Sequence, residues 1–387
     1  MANYDYEIVN GRKIRVRPKE TVSEIDKNGY FRRQPNHFTT PFGDGENDLK
    51  AEGNKRYRLV WAKLCHWSNR AAIVRELEGL EDQISVNMVE HAPHEKNLGW
   101  EYVYNENNID PVLGDQFLSE AYYRADDDYQ GRTTVPVLID TTTGKVVNND
   151  YNWLTTYFEV NFRPWHKKGA PELYPVELRE EIDKMNLWLF DNINNAVYRS
   201  SFSRSNEGHF DGVNTFYAAM DRLEKRLETN RFLFGDYVTD SDIRLYVTLT
   251  RLDIRYTAQL GETKHPLYTY KNLWGYAKEL WEIPAFKNNT FFADFAVPPA
   301  DAKGRIEGEE DGFRASTHYD LALPKIDWDA QWKVSTERAY LSSDPTHPIY
   351  LGNNRRFDID PTWYDLGAES PKKEEKETPP SCGCCCG

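Results

Sequence analysis

Residues 57–70 read YRLVWAKLCHWSNR, and the order of residue types within them decides how the first half of the chain is built. Tyr57–Trp61 is rich in aromatic and branched apolar side chains and predicts a short strand. Beyond Cys65, Ala71, Val74 and Leu77 fall at helical spacing, and Gly79 suits the left-handed position that ends a helix. Cys65 therefore stands after a strand and at the N-terminus of a helix. There a thiol meets backbone N–H groups without intrahelical acceptors and the positive end of the helix dipole, both of which favour the thiolate. His66 and Arg70 could assist electrostatically. The other reading of the same thiol is a small buried core residue. Ser68 occupies the place where a dithiol motif would put its second cysteine, which argues against a two-cysteine mechanism and leaves a one-cysteine mixed-disulfide mechanism open.

Working outward, residues 1–55 are polar, broken by Gly, Pro and Asn, and read as an extended arm. Ile84–Val89 alternates Ile84, Val86 and Met88 on one face and predicts a second strand. The long segment 90–132 carries a helix near Gln116–Ala125. Val135–Ile139 is the next strand, and Thr142-Thr143-Gly144-Lys145 turns it into Val146–Asn148. Asn148-Asn149-Asp150 offers N-cap chemistry, so a helix is expected to open at Asp150. Strand, helix, strand, helical insert, two hairpin strands and a helix is the thioredoxin-like order. Val135-Pro136 falls where that fold places a cis-proline, although a proline can open any strand.

From residue 172 the period changes. Ile182, Met185, Leu189, Ile193 and Val197 share one helical face, and Val213, Phe216, Tyr217, Met220, Leu223 and Leu227 form a second stripe. Thr239 and Asp242 have capping-box spacing ahead of Ile243. Further helices are expected over 243–260 and 270–281, ending before Pro284. Residues 300–365 show little periodicity, and KKEEKETPPS after Pro371 reads as a linker. The expected divisions are an arm (1–55), a thioredoxin-like domain (56–165), an all-helical domain (172–295), an irregular extension (296–370) and a Cys-rich tail (371–387).

Composition narrows the function classes. With 62 acidic against 48 basic residues the formal charge is −14, which argues against nucleic-acid binding. No apolar run approaches the ~20 residues of a membrane helix, and the first residues lack the apolar core of a secretory signal. Of the five cysteines, four (Cys382, Cys384, Cys385, Cys386) crowd the last six positions, which is no disulfide framework and fits a reducing cytoplasm. His91-Ala92-Pro93-His94-Glu95 matches no metal-binding spacing, and no metal is expected.

Longer motifs carry a specific resemblance. Tyr57 through Glu90, Asp110-Pro111 and Gly131-Arg132-Thr133-Thr134-Val135-Pro136-Val137-Leu138 resemble the Xi-class glutathione transferases, the glutathionyl-hydroquinone reductases. Asp191-Asn192-Ile193-Asn194-Asn195-Ala196-Val197-Tyr198, Met220 through Lys225, Thr239 through Asp253, and Tyr270 through Tyr276 continue it, over about residues 30–290. The resemblance implies an α+β thioredoxin-like N-terminal domain followed by an all-α glutathione-transferase C-terminal domain, in a homodimer. It implies glutathione as co-substrate, an aromatic quinol conjugate as substrate, and Cys65 as the nucleophile. It further implies that Trp100, Arg132, Val135, Pro136, Asp150 and Tyr151 belong to the glutathione site, and that Tyr198 and Tyr256 face the aromatic part.

Three departures stand out. The family's Cys-Pro-Trp-Ala is here Cys65-His66-Trp67-Ser68, which sets an ionisable ring beside the thiol. Its Asn-Asn-Glu-Ser is here Asn148-Asn149-Asp150-Tyr151, so the groups expected to grip the γ-glutamyl end are altered and a related low-molecular-weight thiol becomes an alternative to glutathione. A third substrate tyrosine has no match around Phe291–Pro299. The alternative to an enzyme is a non-catalytic or repurposed thiol-binding relative.

Overall fold

The computed structural model describes residues 4–17, 23–92, 97–260, 265–295, 327–333 and 338–342 of the chain. A short antiparallel hairpin, β1 (Tyr6–Val9) and β2 (Arg12–Arg15), lies within the stretch read as an arm, which is thus not wholly irregular. Strand β3 (Tyr57–Trp61) is buried at every position, which requires neighbours on both edges and layers on both faces. Its neighbours are β4 (Ile84–Met88), parallel, and β7 (Val137–Asp140), antiparallel, with β8 (Lys145–Asn148) completing the order β4-β3-β7-β8. A small pair, β5 (Glu90–His91) with β6 (Trp100–Glu101), lies within the insert.

Side chains alternate across β3 as strand geometry demands. Tyr57, Leu59 and Trp61 pack with α1 (His66–Glu78) and α3 (Leu154–Val160), while Val60 packs with α2 (Leu118–Ala125) on the opposite face. Arg58 contradicts an apolar central strand, and the contradiction is resolved by a partner from the insert. Its Nε donates to Asp110 Oδ2 at 2.8 Å, which also accepts from Asn87 Nδ2 at 2.6 Å. A buried guanidinium is tolerated when it is so paired.

Helix α1 ends as its sequence predicts. Gly79 adopts φ +73° and its N–H returns to Arg75 and Glu76, and a Cβ there would meet the Lys167 side chain at 2.6 Å. Helix α3 departs from expectation, since it begins at Leu154 rather than Asp150. Asp150 Oδ1 instead accepts from the Asn152 N–H at 3.1 Å, and its carbonyl accepts from Trp153 and Leu154, so a separate turn precedes the helix.

The second half is helical: α4 (Arg179–Leu189), α5 (Ala196–Phe202), α6 (Asn206–Arg226), α7 (Asp240–Arg251), α8 (Thr257–Leu260) and α9 (Lys271–Trp281). Both apolar stripes read from the sequence are buried. The expected single helix over 243–260 is interrupted. A π-helical turn at Leu252–Tyr256 joins α7 to α8, and another at Phe190–Asn194 joins α4 to α5. Each wider turn shifts the facing of the residues beyond it. Three short helices come next: α10 (Pro284–Asn288), α11 (Phe292–Phe295) and α12 (Trp328–Trp332).

Asp242 fastens this half. Its carboxylate accepts from the Thr239 N–H (2.8 Å) and hydroxyl (2.9 Å), as the spacing predicts. It also accepts from the Leu233 N–H at 2.9 Å and the Tyr276 hydroxyl at 2.8 Å. In the extension, Arg338 donates to the carbonyls of Leu227 and Asn230, satisfying acceptors at the end of α6. The Cys382–Cys386 cluster lies outside the described residues.

Candidate functional site

A cavity of about 480 Å³ opens between the sheet half and the helical half, and Cys65 is in its wall. The residue is the N-cap of α1, with φ −84° and ψ 115°, and the Ser68 and Asn69 N–H groups both donate to its carbonyl at 3.1 Å. Only 8% of it is exposed. Its Sγ lies 3.7 Å from the Val135 carbonyl oxygen, next to the cis Val135–Pro136 bond. Thiol and carbonyl are 70 positions apart in the chain, and the parallel and antiparallel pairings of β3 bring them together.

The loop before Cys65 is held from the helical half. Arg251, on α7, donates from Nε to the Leu64 carbonyl and from Nη2 to the Lys63 carbonyl, both at 3.1 Å, and also to Asn69 Oδ1. Its Nη1 donates to Val247 O at 2.7 Å. Burial pushes this guanidinium down to about 10, with Tyr256, Cys65 and Tyr198 opposing, so it is charged at neutral pH. Lysine cannot reproduce such a fork. Arg251→Lys is expected to cost about 1–3 kcal/mol of stability and to lower turnover roughly tenfold. Chemical denaturation beside steady-state rates checks this, and unchanged values in both refute the role.

His66 is not the charged neighbour that the sequence suggests. It is fully buried, and burial together with Arg251, Arg70 and Arg33 holds its pKa well below the usual histidine range. The imidazole is therefore neutral at physiological pH and supplies no positive charge to the thiol. Its Nδ1 lies 3.1 Å from the Tyr256 hydroxyl and 3.2 Å from Thr248 Oγ1.

The residues assigned to the glutathione site divide. Trp100, Arg132, Val135 and Tyr151 line the cavity; Pro136 and Asp150 are not among its lining residues. Trp100 commits its indole N–H to the Thr133 carbonyl at 3.1 Å and stacks on His91, ring centres 3.7 Å apart. Arg132 is paired with Glu24 at 2.7 Å. Asp150 Oδ1 accepts from Asn36 Nδ2 at 2.9 Å, which ties this turn to the N-terminal arm. Tyr151 packs on Trp67 with ring centres 4.8 Å apart, and Arg70 donates to its carbonyl.

Tyr198 and Tyr256 both line the cavity, one just after the first π turn and one within the second. Burial raises both phenols, and the neighbouring Cys65 adds to the rise. Both keep their protons at neutral pH and can donate hydrogen bonds, not act as bases.

The arm supplies a wall that sequence reasoning missed. Phe31, Arg33, Gln34 and Asn36 all face the cavity. The Arg33 guanidinium lies over the rings of Tyr198 (4.5 Å) and Trp67 (4.8 Å). Gln34 exchanges two hydrogen bonds with the Arg132 backbone, as a neighbouring strand would. No local signal marks these residues, because their contacts close on Trp67, Arg132 and Asp150 and on Asn195, Tyr198 and Ser203 of the helical half. Of the His91–Glu95 stretch, His94 and Glu95 lie outside the described residues. Among the described residues no three His, Cys, Asp or Glu side chains converge as metal ligands, and no helix is long and apolar enough to cross a membrane.

Known proteins share both the sequence and the fold. Residues 198–279 match the family profile described as glutathione S-transferase, C-terminal domain. The chain is 34% identical over 277 residues to glutathione S-transferase omega-like 2 of Schizosaccharomyces pombe, covering 69% of this chain and 87% of the relative. It is 33% identical over 237 residues to the Escherichia coli glutathionyl-hydroquinone reductase YqjG, covering 61% of this chain and 72% of that protein. The glutathione-bound structure of YqjG superposes with a TM-score of 0.65 at 28% identity, over 80% of this chain and 97% of YqjG. The glutathione transferase Xi of Phanerochaete chrysosporium superposes with a TM-score of 0.64 at 33% identity, over 70% of this chain and 87% of that one.

Proposed function

As this chain belongs to the Xi class of glutathione transferases and is an enzyme of that class with glutathione-dependent reductase or transferase activity, we propose that it reduces glutathionyl-hydroquinone-like conjugates through a mixed disulfide on Cys65. The observation that carries the reading is the shared cavity. One thiol at a helix start faces the Val135 backbone on one side, and two protonated phenols line the same space.

The Cys65 thiolate attacks the sulfur of the conjugate. The ring carbon that bears the sulfur first takes up a proton as a quinol hydroxyl gives one up, forming the keto tautomer; a sulfur–sulfur bond then forms and the sulfur–carbon bond breaks, its electron pair passing into the ring as an enolate whose oxygen takes up a proton. The sulfurs are oxidised to a disulfide and the ring is reduced to free hydroquinone. A second glutathione thiolate then attacks the glutathionyl sulfur, expelling Cys65 as thiolate and giving glutathione disulfide. While the carbon–sulfur bond breaks, negative charge reaches the quinol oxygen through the ring. Hydrogen bonds from Tyr198 and Tyr256 at that oxygen strengthen in the transition state, which is what raises turnover. Trp100, Val135 and Tyr151 supply wall and backbone to the thiol ligand. Arg132 is already paired with Glu24 through Nη2, which weakens its attraction for a further anion. Asp150 and Pro136 position the wall from behind it.

Incubation with glutathionyl-menadiol tests the reading. The protein is expected to release menadiol, and peptide mapping is expected to locate one glutathionyl group on Cys65. Tyr198→Phe is expected to lower kcat by roughly tenfold to a hundredfold. Absence of quinol release by the wild type refutes the substrate class.

A further inference from the structure

His66 stands next to the nucleophile, is wholly buried, and has no part in the chemistry above. Resting on the reading that Tyr256 meets the aromatic half of the substrate, we propose that His66 is a positioning residue for Tyr256: its Nδ1–H donates to the phenol oxygen and so aims the phenolic proton into the cavity, at the oxygen of the departing quinol.

The ring is fixed on several sides. The Trp67 indole stands edge-on to it with centres 4.2 Å apart, and the Tyr198 ring centre is 5.2 Å away. Two hydroxyls approach Nδ1, Tyr256 at 3.1 Å and Thr248 at 3.2 Å. Thr248 Oγ1 already accepts from Asn194 Nδ2 at 2.7 Å, so the phenol is the less committed acceptor. Nε2 is buried with no partner among the described residues.

A neutral imidazole carries one N–H, and the tautomer decides what is stranded. With the proton on Nε2, a donor is buried without an acceptor and loses its hydration uncompensated. With the proton on Nδ1, Nε2 keeps only a bare lone pair, the milder defect. The second tautomer makes the imidazole a donor to Tyr256. A phenol oxygen that accepts from one side keeps its own proton for the other, and the other side is the cavity, which Tyr256 lines. Burial, with Arg251, Arg70 and Arg33 nearby, keeps the ring neutral, so it does not become a second source of charge.

Two measurements test the assignment. Histidine ¹⁵N NMR of the full chain, with the His66 signal identified among the nine histidines by its loss in His66→Asn, reads the tautomer directly. A protonated Nδ1 is expected, and a protonated Nε2 overturns the proposal whether or not any substrate is turned over. The second is a double-mutant cycle on kcat for glutathionyl-quinol reduction. His66→Phe and Tyr256→Phe are each expected to lower kcat roughly tenfold or more, with KM changed less than about threefold, and the double variant is expected to be no slower than Tyr256→Phe. His66→Asn, whose side-chain N–H falls near the position of Nδ1, is expected to recover most of the loss. Additive losses, or equal loss in His66→Asn and His66→Phe at equal thermal stability, overturn it. If the wild type releases no quinol, the substrate reading fails, while the NMR result still decides the tautomer.

Discussion

Cys65→Ser is expected to lower glutathionyl-quinol reduction by on the order of a thousandfold or more while leaving the fold intact. The two effects separate for physical reasons. An alkoxide is far harder to form than a thiolate, and oxygen does not give the sulfur–sulfur bond on which the proposed reaction depends. Packing changes little, since the hydroxyl is slightly smaller than the thiol and can still donate to the Val135 carbonyl, where Sγ lies at 3.7 Å. Thermal unfolding should move by no more than a few degrees. The four cysteines at the C-terminus would also trap glutathione, so the adduct must be located by peptide mapping. Wild-type turnover in the serine variant would end the claim that Cys65 is the nucleophile.

The largest effect on stability is expected at Asp242. Its side chain is completely buried and collects four donors: two N–H groups and two hydroxyls, from Thr239, Leu233 and Tyr276. Asp242→Ala strands all of them and removes the cap of α7. A loss of about 3–5 kcal/mol is expected, or roughly 10 °C in Tm. Asp242→Asn supplies a pH test. Burial pushes the carboxyl up to about 6, against the hydrogen bonds that pull it down. An ordinary unfolded aspartate titrates near 4. Between these values the native state binds the extra proton, so this group's contribution is fully present below about pH 4 and is lost as pH rises through 6. Relative to the Asn variant, the wild type should therefore lose about 2–3 kcal/mol between pH 4 and pH 7, read by urea unfolding at each pH. A constant difference would show that the carboxyl titrates normally.

Much of the architecture was legible because its causes are local. The strand-forming run Tyr57–Trp61, the Gly79 cap, the Thr239–Asp242 box and the two stripes in the second half each depend on residues within one or two turns of one another. The position of Cys65 was legible for the same reason, since a strand running into a helix start is a local event. The two π turns were not, because one extra residue per turn leaves the apolar spacing almost unchanged while re-aiming the side chains of α5 and α8.

The site shows the limit most sharply. Asp150 carries the right charge at the position the resemblance assigned to the ligand, yet Asn36, 114 residues earlier, donates to its Oδ1. His66 put an ionisable ring beside the thiol, and burial together with Arg251, Arg70 and Arg33 makes that ring neutral. Sequence alone determined most of the strands and helices and placed the thiol at the start of a helix. Only the tertiary structure decided which polar groups around it remain available to a ligand. A hydrogen-bonding group's spare capacity depends on every partner that reaches it, and in this fold those partners arrive from 70 to 190 residues away.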